Sequence, residues 1–167
     1  KYRAKPDRID FTCKLLSSWI EIRNTTKKER RVAVLMANYP NQDGRLGNGV
    51  GLDTPESVVR ILNAMDNQGY KLKDIPENGD ELLRRLKRGP TNNFKNLRNR
   101  NIKECFSEKE YQKFFSRLPI RIQRAVLNRW GEPKMDPFYV SGQKGEGFFA
   151  IPAYRLGNII IGLQPAR

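Results

Sequence analysis

The residues best suited to chemistry lie in one stretch, Asn38-Tyr39-Pro40-Asn41-Gln42-Asp43-Gly44-Arg45-Leu46-Gly47-Asn48-Gly49-Val50-Gly51-Leu52-Asp53. Gly44, Gly47, Gly49 and Gly51 leave main chain free to approach a ligand and to take positive φ. Arg45 is the only cation of the stretch, and Asp43 and Asp53 are its only acids. A guanidinium there can pair with a carboxylate on a ligand, in a strong and directional contact, or simply sit on the surface. Asp53 can act as a base, or it can cap the helix that begins at Thr54-Pro55-Glu56. The loop as a whole is either a ligand or interface surface or a folded Ω-like loop over a helix start.

Known phosphate loops fit poorly. A P-loop needs Gly-x-x-x-x-Gly-Lys-Ser/Thr, and no lysine occurs between Lys28 and Lys71. The dinucleotide fingerprint needs a third glycine where Leu52 stands. The connection is also about 14 residues long, against the 2–6 usual for such turns. Asp74, at the end of a possible second strand, imitates a ribose-binding acid and keeps a dinucleotide alternative open. The chain has no histidine, so the commonest metal ligand and the usual triads are absent. Chemistry within it falls to carboxylates, Arg/Lys, Tyr and backbone groups.

The elements that must position this loop follow from periodicity. Phe11, Leu15, Trp19 and Ile22 recur at helical spacing and predict a helix over residues 8–25. Residues 32–38 predict a strand, apolar on both faces and therefore central and buried. Beyond the loop, Val58, Val59, Ile61, Leu62 and Met65 form the apolar face of a helix that ends before Gly69. Residues 70–75 predict a second strand, parallel to the first. A short basic helix follows over 81–88, then a polar loop over 91–101. Ser107 and Glu110 form a capping box for a helix holding Tyr111, Phe114 and Phe115. A further helix starts near Pro119 and stops at Gly131. Residues 138–140 and 148–152 predict strands, separated by a polar insert over 141–147. Residues 153–155 and 159–163, joined by Leu156-Gly157-Asn158, predict a hairpin. Gln164 follows the last strand and approaches Asn38 and Tyr39 if that strand runs parallel to the first. The expected fold class is α/β: a Rossmann-like parallel strand-helix-strand core with a helical insertion at about 79–131 and a C-terminal β-hairpin. Residues 1–30 form an N-terminal helix and linker, and 31–167 the α/β segment.

The 167 residues carry a net charge of +14 and a pI near 10.1. Residues 82–130 hold 14 Lys/Arg against 3 Glu, a local excess of +11. Such a balance suits an anionic partner or a basic face turned to solvent or to an acidic subunit. Nucleic acid is one alternative, with Phe94 and Tyr111 as stacking rings, but no RNP, KH or helix-turn-helix signature accompanies them. A docking module is another. Cys13 and Cys105 form no metal or disulfide pattern. No apolar run approaches the ~20 residues of a membrane span. A reducing, cytoplasmic setting is expected. The absence of an initiator methionine, and a last strand that has just ended, suggest a segment of a longer chain.

Several stretches carry a resemblance. Arg31-Val32-Ala33-Val34-Leu35, Asn38-Tyr39-Pro40 and the string from Gly44 to Pro55 are followed, in order, by Gly89-Pro90-Thr91-Asn92 and by Arg129-Trp130-Gly131-Glu132-Pro133 with Asp136-Pro137-Phe138. The series ends with Tyr154-Arg155-Leu156-Gly157-Asn158 and Gly162-Leu163-Gln164-Pro165-Ala166-Arg167. Together they resemble the large subunits of the CobN/magnesium chelatase family, and the aerobic cobaltochelatase branch in particular. The resemblance implies an internal piece of a very large subunit. That subunit binds a tetrapyrrole for ATP-dependent insertion of a divalent metal, as a ligase forming nitrogen–metal bonds. For the cobalt branch the macrocycle is hydrogenobyrinic acid a,c-diamide, on the route to cobalamin. For the magnesium branch it is protoporphyrin IX, and that branch has a looser glycine loop. AAA+ ATPase and companion subunits are the implied partners, with ATP used by them and cobalt(II) as substrate. No cofactor is expected on this segment. The substrate-binding set implied here is Asn38, Tyr39, Gly44, Arg45, Gly47, Asn48, Gly49, Gly51 and Gln164, with Asp53 as the candidate base. The family's histidine-rich motif is expected beyond Gln164-Pro165.

Overall fold

A computed structural model describes residues 3–38, 46–47, 49, 51–142 and 146–165. The expected positions Tyr39, Gly44, Arg45 and Asn48 lie outside the described residues, as do residues 143–145 of the polar insert.

Helix α1 (Pro6–Asn24) forms where the spacing predicts it, with Pro6 in its first turn. None of its residues is buried. Phe11, Leu15, Trp19 and Ile22 are 39–62% exposed, since no other described element covers them.

Strand β1 (Val32–Met36) leads to helix α2 (Thr54–Asn67) and helix α3 (Gly79–Arg88). Asp53 caps α2 by accepting the Glu56 N–H at 3.1 Å, and Asn78 caps α3 by accepting the Glu81 N–H at 2.9 Å. Each cap satisfies an N–H that the helix itself leaves free. The chain closes this unit with strands β5 (Ala153–Leu156) and β6 (Ile159–Leu163). The sheet order is β1-β6-β5, with β6 parallel to β1 and antiparallel to β5. The predicted hairpin is therefore present. Its turn needs Gly157, which has φ +67°, and where a Cβ would come within 2.6 Å of the Lys71 carbonyl. Asn158 fastens this turn: its N–H donates to Lys71 O, its side-chain amide donates to Lys28 O, and its carbonyl accepts the Val32 N–H.

Two expectations for this sheet need correction. The structure is mixed α and β, but its parallel pair is β1 with β6, not β1 with residues 70–75. That segment is not a strand. It accepts one bond from the hairpin turn at Lys71 O and turns at Asp74 (φ 54°), so it packs Tyr70, Leu72 and Ile75 on the core without forming a ladder. Among the described residues, residues 70–75 do not pair with β1 as the second strand of a Rossmann-like unit, and Asp74 ends no strand. Strand β1 is also not central. It is the edge of a three-stranded sheet covered by helices on one face, so Met36 is buried while Leu35 is 74% exposed. The central strand is β6, with Ile159, Ile161, Gly162 and Leu163 buried.

One core joins these elements. Met36, Leu46, Val58, Val59, Leu62, Leu82, Leu86, Leu156, Ile159, Ile161 and Leu163 form a single buried cluster between the sheet and α2 and α3.

A second sheet is built from the intervening chain. Strands β2 (Cys105–Ser107), β3 (Tyr139–Ser141) and β4 (Gly147–Ala150) pair antiparallel in the order β2-β4-β3. The predicted strands near 138–140 and 148–152 are β3 and β4. Strand β2 has no counterpart in the sequence reading; it is a three-residue run inside a polar stretch. Helix α4 (Glu108–Phe115) opens with the predicted capping box: Ser107 accepts the Glu110 N–H, and Glu110 accepts the Ser107 N–H. Helix α5 (Ile120–Trp130) stops before Gly131.

Candidate functional site

Parallel pairing sets the carboxyl ends of β1 and β6 side by side, where ligands of open α/β sheets characteristically bind. Met36 lies opposite Leu163, and the Gln164 N–H donates to the Met36 carbonyl at 3.0 Å. Gln164 is thus brought to the end of β1, as expected if the last strand ran parallel to the first. Asn38 lies two residues past Met36 and is 2% exposed. Neither its side-chain nitrogen nor its side-chain oxygen has a hydrogen-bond partner among the described residues. Buried polar groups are nearly always paired, so an amide with both ends open is exceptional.

The structure adds a component that periodicity does not assign to the site. The Asn92 side-chain amide donates to the Gln164 carbonyl at 3.1 Å. Residues 89–92 form the turn after α3, and Arg100 fastens it. The Arg100 guanidinium donates to Gly89 O at 3.1 Å and to Thr91 Oγ1 at 2.7 Å. Thr91 Oγ1 also accepts the Asn93 N–H at 3.2 Å, and Thr91 is fully buried. The Gly89-Pro90-Thr91-Asn92 string is visible in the sequence, but its contact with Gln164 spans 72 positions and no local signal points to it.

The described part of the glycine loop folds against this edge. Gly47 takes φ +66° and lies over the Met36 side chain; a Cβ there would collide with the Met36 methyl carbon. Leu46 beside it is buried in the core. Gly49 and Leu52 form a single bridge, and Leu52 donates its N–H to Gly49 O at 3.2 Å. Gly51 has φ +73° and open space around it. Asp53 is engaged at the start of α2, through both its side-chain cap and its carbonyl, which accepts from Ser57 N–H and Ser57 Oγ. The starts of α2 and α3 meet, with the Glu56 carboxylate accepting the Gly79 N–H at 3.0 Å. A cleft of about 150 Å³ between them is lined by Asp53, Glu56, Asn78 and Asp80. Among the described residues no cluster of carboxylates and thiols has the makings of a metal site.

Beside the 89–92 turn, between α3 and β5, lies a cleft of about 370 Å³. Arg85 is its centre, donating to Glu81, to Asp74 O and to the Tyr154 hydroxyl. Burial opposes the Arg85 cation, but its bond to Glu81 and the neighbouring Tyr154 outweigh this and hold its pKa above the ordinary value. The Glu77 N–H, and then Arg85, hold the Glu81 carboxyl below its ordinary range. Arg85 and Lys103 lie 5.8 and 5.9 Å from the Tyr154 ring centroid, within reach of a cation–π attraction. The rings named for base stacking are occupied internally. Phe94 meets Phe138 edge-on at 5.0 Å, and Tyr111 stacks on Phe115 at 5.4 Å.

The loop after β1 carries no lysine of a phosphate-binding loop, and the chain around it is mixed α and β. The CobN/Magnesium Chelatase family model matches residues 1–167, and the chain belongs to that family. It is 46% identical over 160 residues to the aerobic cobaltochelatase subunit CobN of a Sinorhizobium species, covering 96% of this chain and 12% of the relative. It is 26% identical over 165 residues to a magnesium-chelatase subunit of Chlorobaculum parvum, covering 99% of this chain and 12% of the relative. Its fold is similar to the catalytic subunit of cobaltochelatase from Mycobacterium tuberculosis, with TM-score 0.80 and 31% identity, covering all of this chain and 13% of that one. The chain thus spans about an eighth of the length of these relatives.

Proposed function

We propose that this chain is part of the tetrapyrrole-binding large subunit of an ATP-dependent cobaltochelatase, acting on hydrogenobyrinic acid a,c-diamide in cobalamin biosynthesis. The preference for cobalt over magnesium rests on the greater likeness to the CobN relative, 46% against 26% identity. The observation that carries the site is the junction of β1 and β6, where Gln164 bonds both Met36 and Asn92 and Asn38 follows Met36 by two residues. In this reading the macrocycle lies against residues 38–51 and Gln164. Arg45 pairs with a rim carboxylate, and Tyr39, Gly44, Gly47, Asn48, Gly49 and Gly51 offer ring and main-chain contacts. AAA+ and companion subunits supply ATP hydrolysis, cobalt(II) is the substrate metal, and the complex works in the cytoplasm. Among the described residues no helix is long and apolar enough to cross a membrane.

Metal insertion requires the macrocycle to lose two pyrrole N–H protons. Asp53 could accept one only through a carboxylate already used as a helix cap. Asp53→Asn separates the two roles, because Asn still accepts at an N-cap but is not a base. In the full-length subunit, a binding titration by tetrapyrrole fluorescence and a metal-insertion assay test the reading. Arg45→Ala is expected to weaken macrocycle affinity. Asp53→Asn with full insertion activity assigns Asp53 to capping alone, and the deprotonating group then lies elsewhere in the subunit. Unchanged affinity and insertion in both variants would remove this loop from the site.

A further inference from the structure

We propose that the cleft between α3 and β5 holds a carboxylate side arm of the bound macrocycle, with Arg88 and Lys103 supplying the charge. The inference rests on the tetrapyrrole reading above and extends that site across β6, away from the glycine loop.

The register of the sheet sets where this cleft lies. Strand β5 runs antiparallel to β6, so its first residue, Ala153, lies opposite Gly162 and its last, Leu156, opposite Ile159. Just before β5, Pro152 O accepts the Leu163 N–H at 2.8 Å. Ala153 and Tyr154, which line the cleft, therefore stand at the same edge of the sheet as Gln164. The turn after α3 joins the two places. Gly89 lines the cleft, and Asn92, in the same turn, donates to the Gln164 carbonyl. Ligands of open α/β sheets bind beyond this edge.

The lining of the cleft is that of an anion receptor. Three cations, Arg85, Arg88 and Lys103, face two carboxylates, Asp74 and Glu81. Arg85 belongs to the fold: it donates to Glu81, to Asp74 O and to the Tyr154 hydroxyl. Arg88 and Lys103 are exposed, and among the described residues neither forms an ion pair. The Lys103 ammonium lies 5.9 Å from the Tyr154 ring centroid. The Tyr154 oxygen accepts from Arg85, so its own hydrogen remains to donate. A guanidinium, an ammonium and a hydroxyl thus line one open cavity, and these are the donors a carboxylate takes in strong, charge-assisted bonds. The single excess positive charge suits a carboxylate. A phosphate dianion would stand beside Asp74 and Glu81 with too few cations to balance it. The Gly89 N–H, already donated to Leu86 O, is not available to cradle phosphate oxygens.

The test uses the full-length subunit and two probes: hydrogenobyrinic acid a,c-diamide, and the same macrocycle with its remaining carboxylates converted to amides. Fluorescence titration gives the affinity for each. Arg88→Gln combined with Lys103→Gln is expected to weaken diamide binding by about tenfold or more, and to change binding of the amidated probe by less than about threefold. Both positions are exposed, so the thermal midpoint is expected to stay unchanged. The single variants give the same readout if the pair lowers it. Tyr154→Phe keeps the ring, removes the hydroxyl and is expected to weaken diamide binding by about threefold. An acidic side chain of a companion subunit offers the same chemistry, so the affinity of the purified companion and AAA+ subunits for the double variant is measured in parallel and is expected to be unchanged. Three results overturn the assignment while the tetrapyrrole reading stands: diamide affinity unchanged in the folded variant, an equal loss for both macrocycles, or weakened subunit assembly with macrocycle affinity retained. Failure of the wild-type protein to bind either macrocycle overturns both.

Discussion

Around β1-β6-β5 the described residues bury one continuous cluster that reaches from Met36 through α2 and α3 to Leu163. Around β2-β4-β3 the buried cluster among the described residues is Leu97, Val140 and Ala150. The helices differ in the same way. Helices α2 and α3 bury Val58, Val59, Leu62, Leu82 and Leu86, whereas α4 and α5 bury no residue completely and leave Phe114, Ile120 and Trp130 exposed. The first unit is held by apolar burial. The second relies more on polar and aromatic pairs: Tyr139 donates to Glu108 at 2.6 Å, Arg155 reaches across from β5 to Glu104 at 2.6 Å, and Tyr111 leans on Phe149. The lesson is positional. The unit that carries the carboxyl edge is rigidly supported from beneath, while the basic unit beside it has little core of its own.

The contrast can be broken most directly in the first core. Ile159→Ala removes a fully buried side chain from the central strand and is expected to cost about 2–5 kcal/mol. Val140→Ala in the small cluster should cost clearly less. Native-state hydrogen exchange of the amides of β6 and β4 compares them, and equal losses would contradict the difference in depth. Next comes the hairpin turn. Gly157→Ala introduces a Cβ at positive φ and against the Lys71 carbonyl, with an expected cost of about 1–3 kcal/mol. Exchange protection at Val32, whose N–H depends on Asn158, should fall with it.

Smaller effects sharpen the comparison at the helix starts. Asn78→Ala removes the cap of α3 and should cost about 1 kcal/mol. Limited proteolysis near residue 79 would report it. The smallest effect belongs to the exposed capping box of α4. The Ser107 hydroxyl, followed by the Ser107 N–H, holds the Glu110 carboxyl below its ordinary value of 4.5. A depressed carboxyl stabilises the folded form above its unfolded value and loses that contribution as pH falls through the folded one. Exchange in α4 should therefore quicken as pH is lowered below 4.5, after correction for intrinsic rates, with Ser107→Ala weakening the dependence because only the backbone N–H of residue 107 then remains to bond Glu110. The starts of α2 and α3, capped by Asp53 and Asn78, provide the internal comparison.

The helices are legible in the sequence because their signals are local. Thr54-Pro55-Glu56, the Ser107/Glu110 box and the glycines at 69 and 131 act over one turn, and the observed ends agree within one or two residues. The hairpin is legible for the same reason: a glycine and an asparagine between two apolar runs. Residues 70–75 mislead because alternating Tyr70 and Leu72 suit a strand, while strand formation depends on a neighbour able to accept a ladder. Among the described residues one edge of β1 stays free, but residues 70–75 bond the hairpin turn through Lys71 O and turn at Asp74 (φ 54°), while β6, flanked by β1 and β5, takes the central place. The central character expected of β1 fails on the same point.

The candidate site divides along this line. Glycine spacing, Asp53 as a possible cap and the absence of a phosphate-loop lysine are properties of consecutive residues. They can be weighed before any coordinates, because steric freedom and capping are decided within a few bonds. The bond of Gln164 to Met36 across the parallel pair, the hold of Asn92 on Gln164 and the burial of Asn38 belong to the folded molecule. Hydrogen-bond partners separated by 72 positions are selected by packing and strand register, and these emerge only when the whole core has closed.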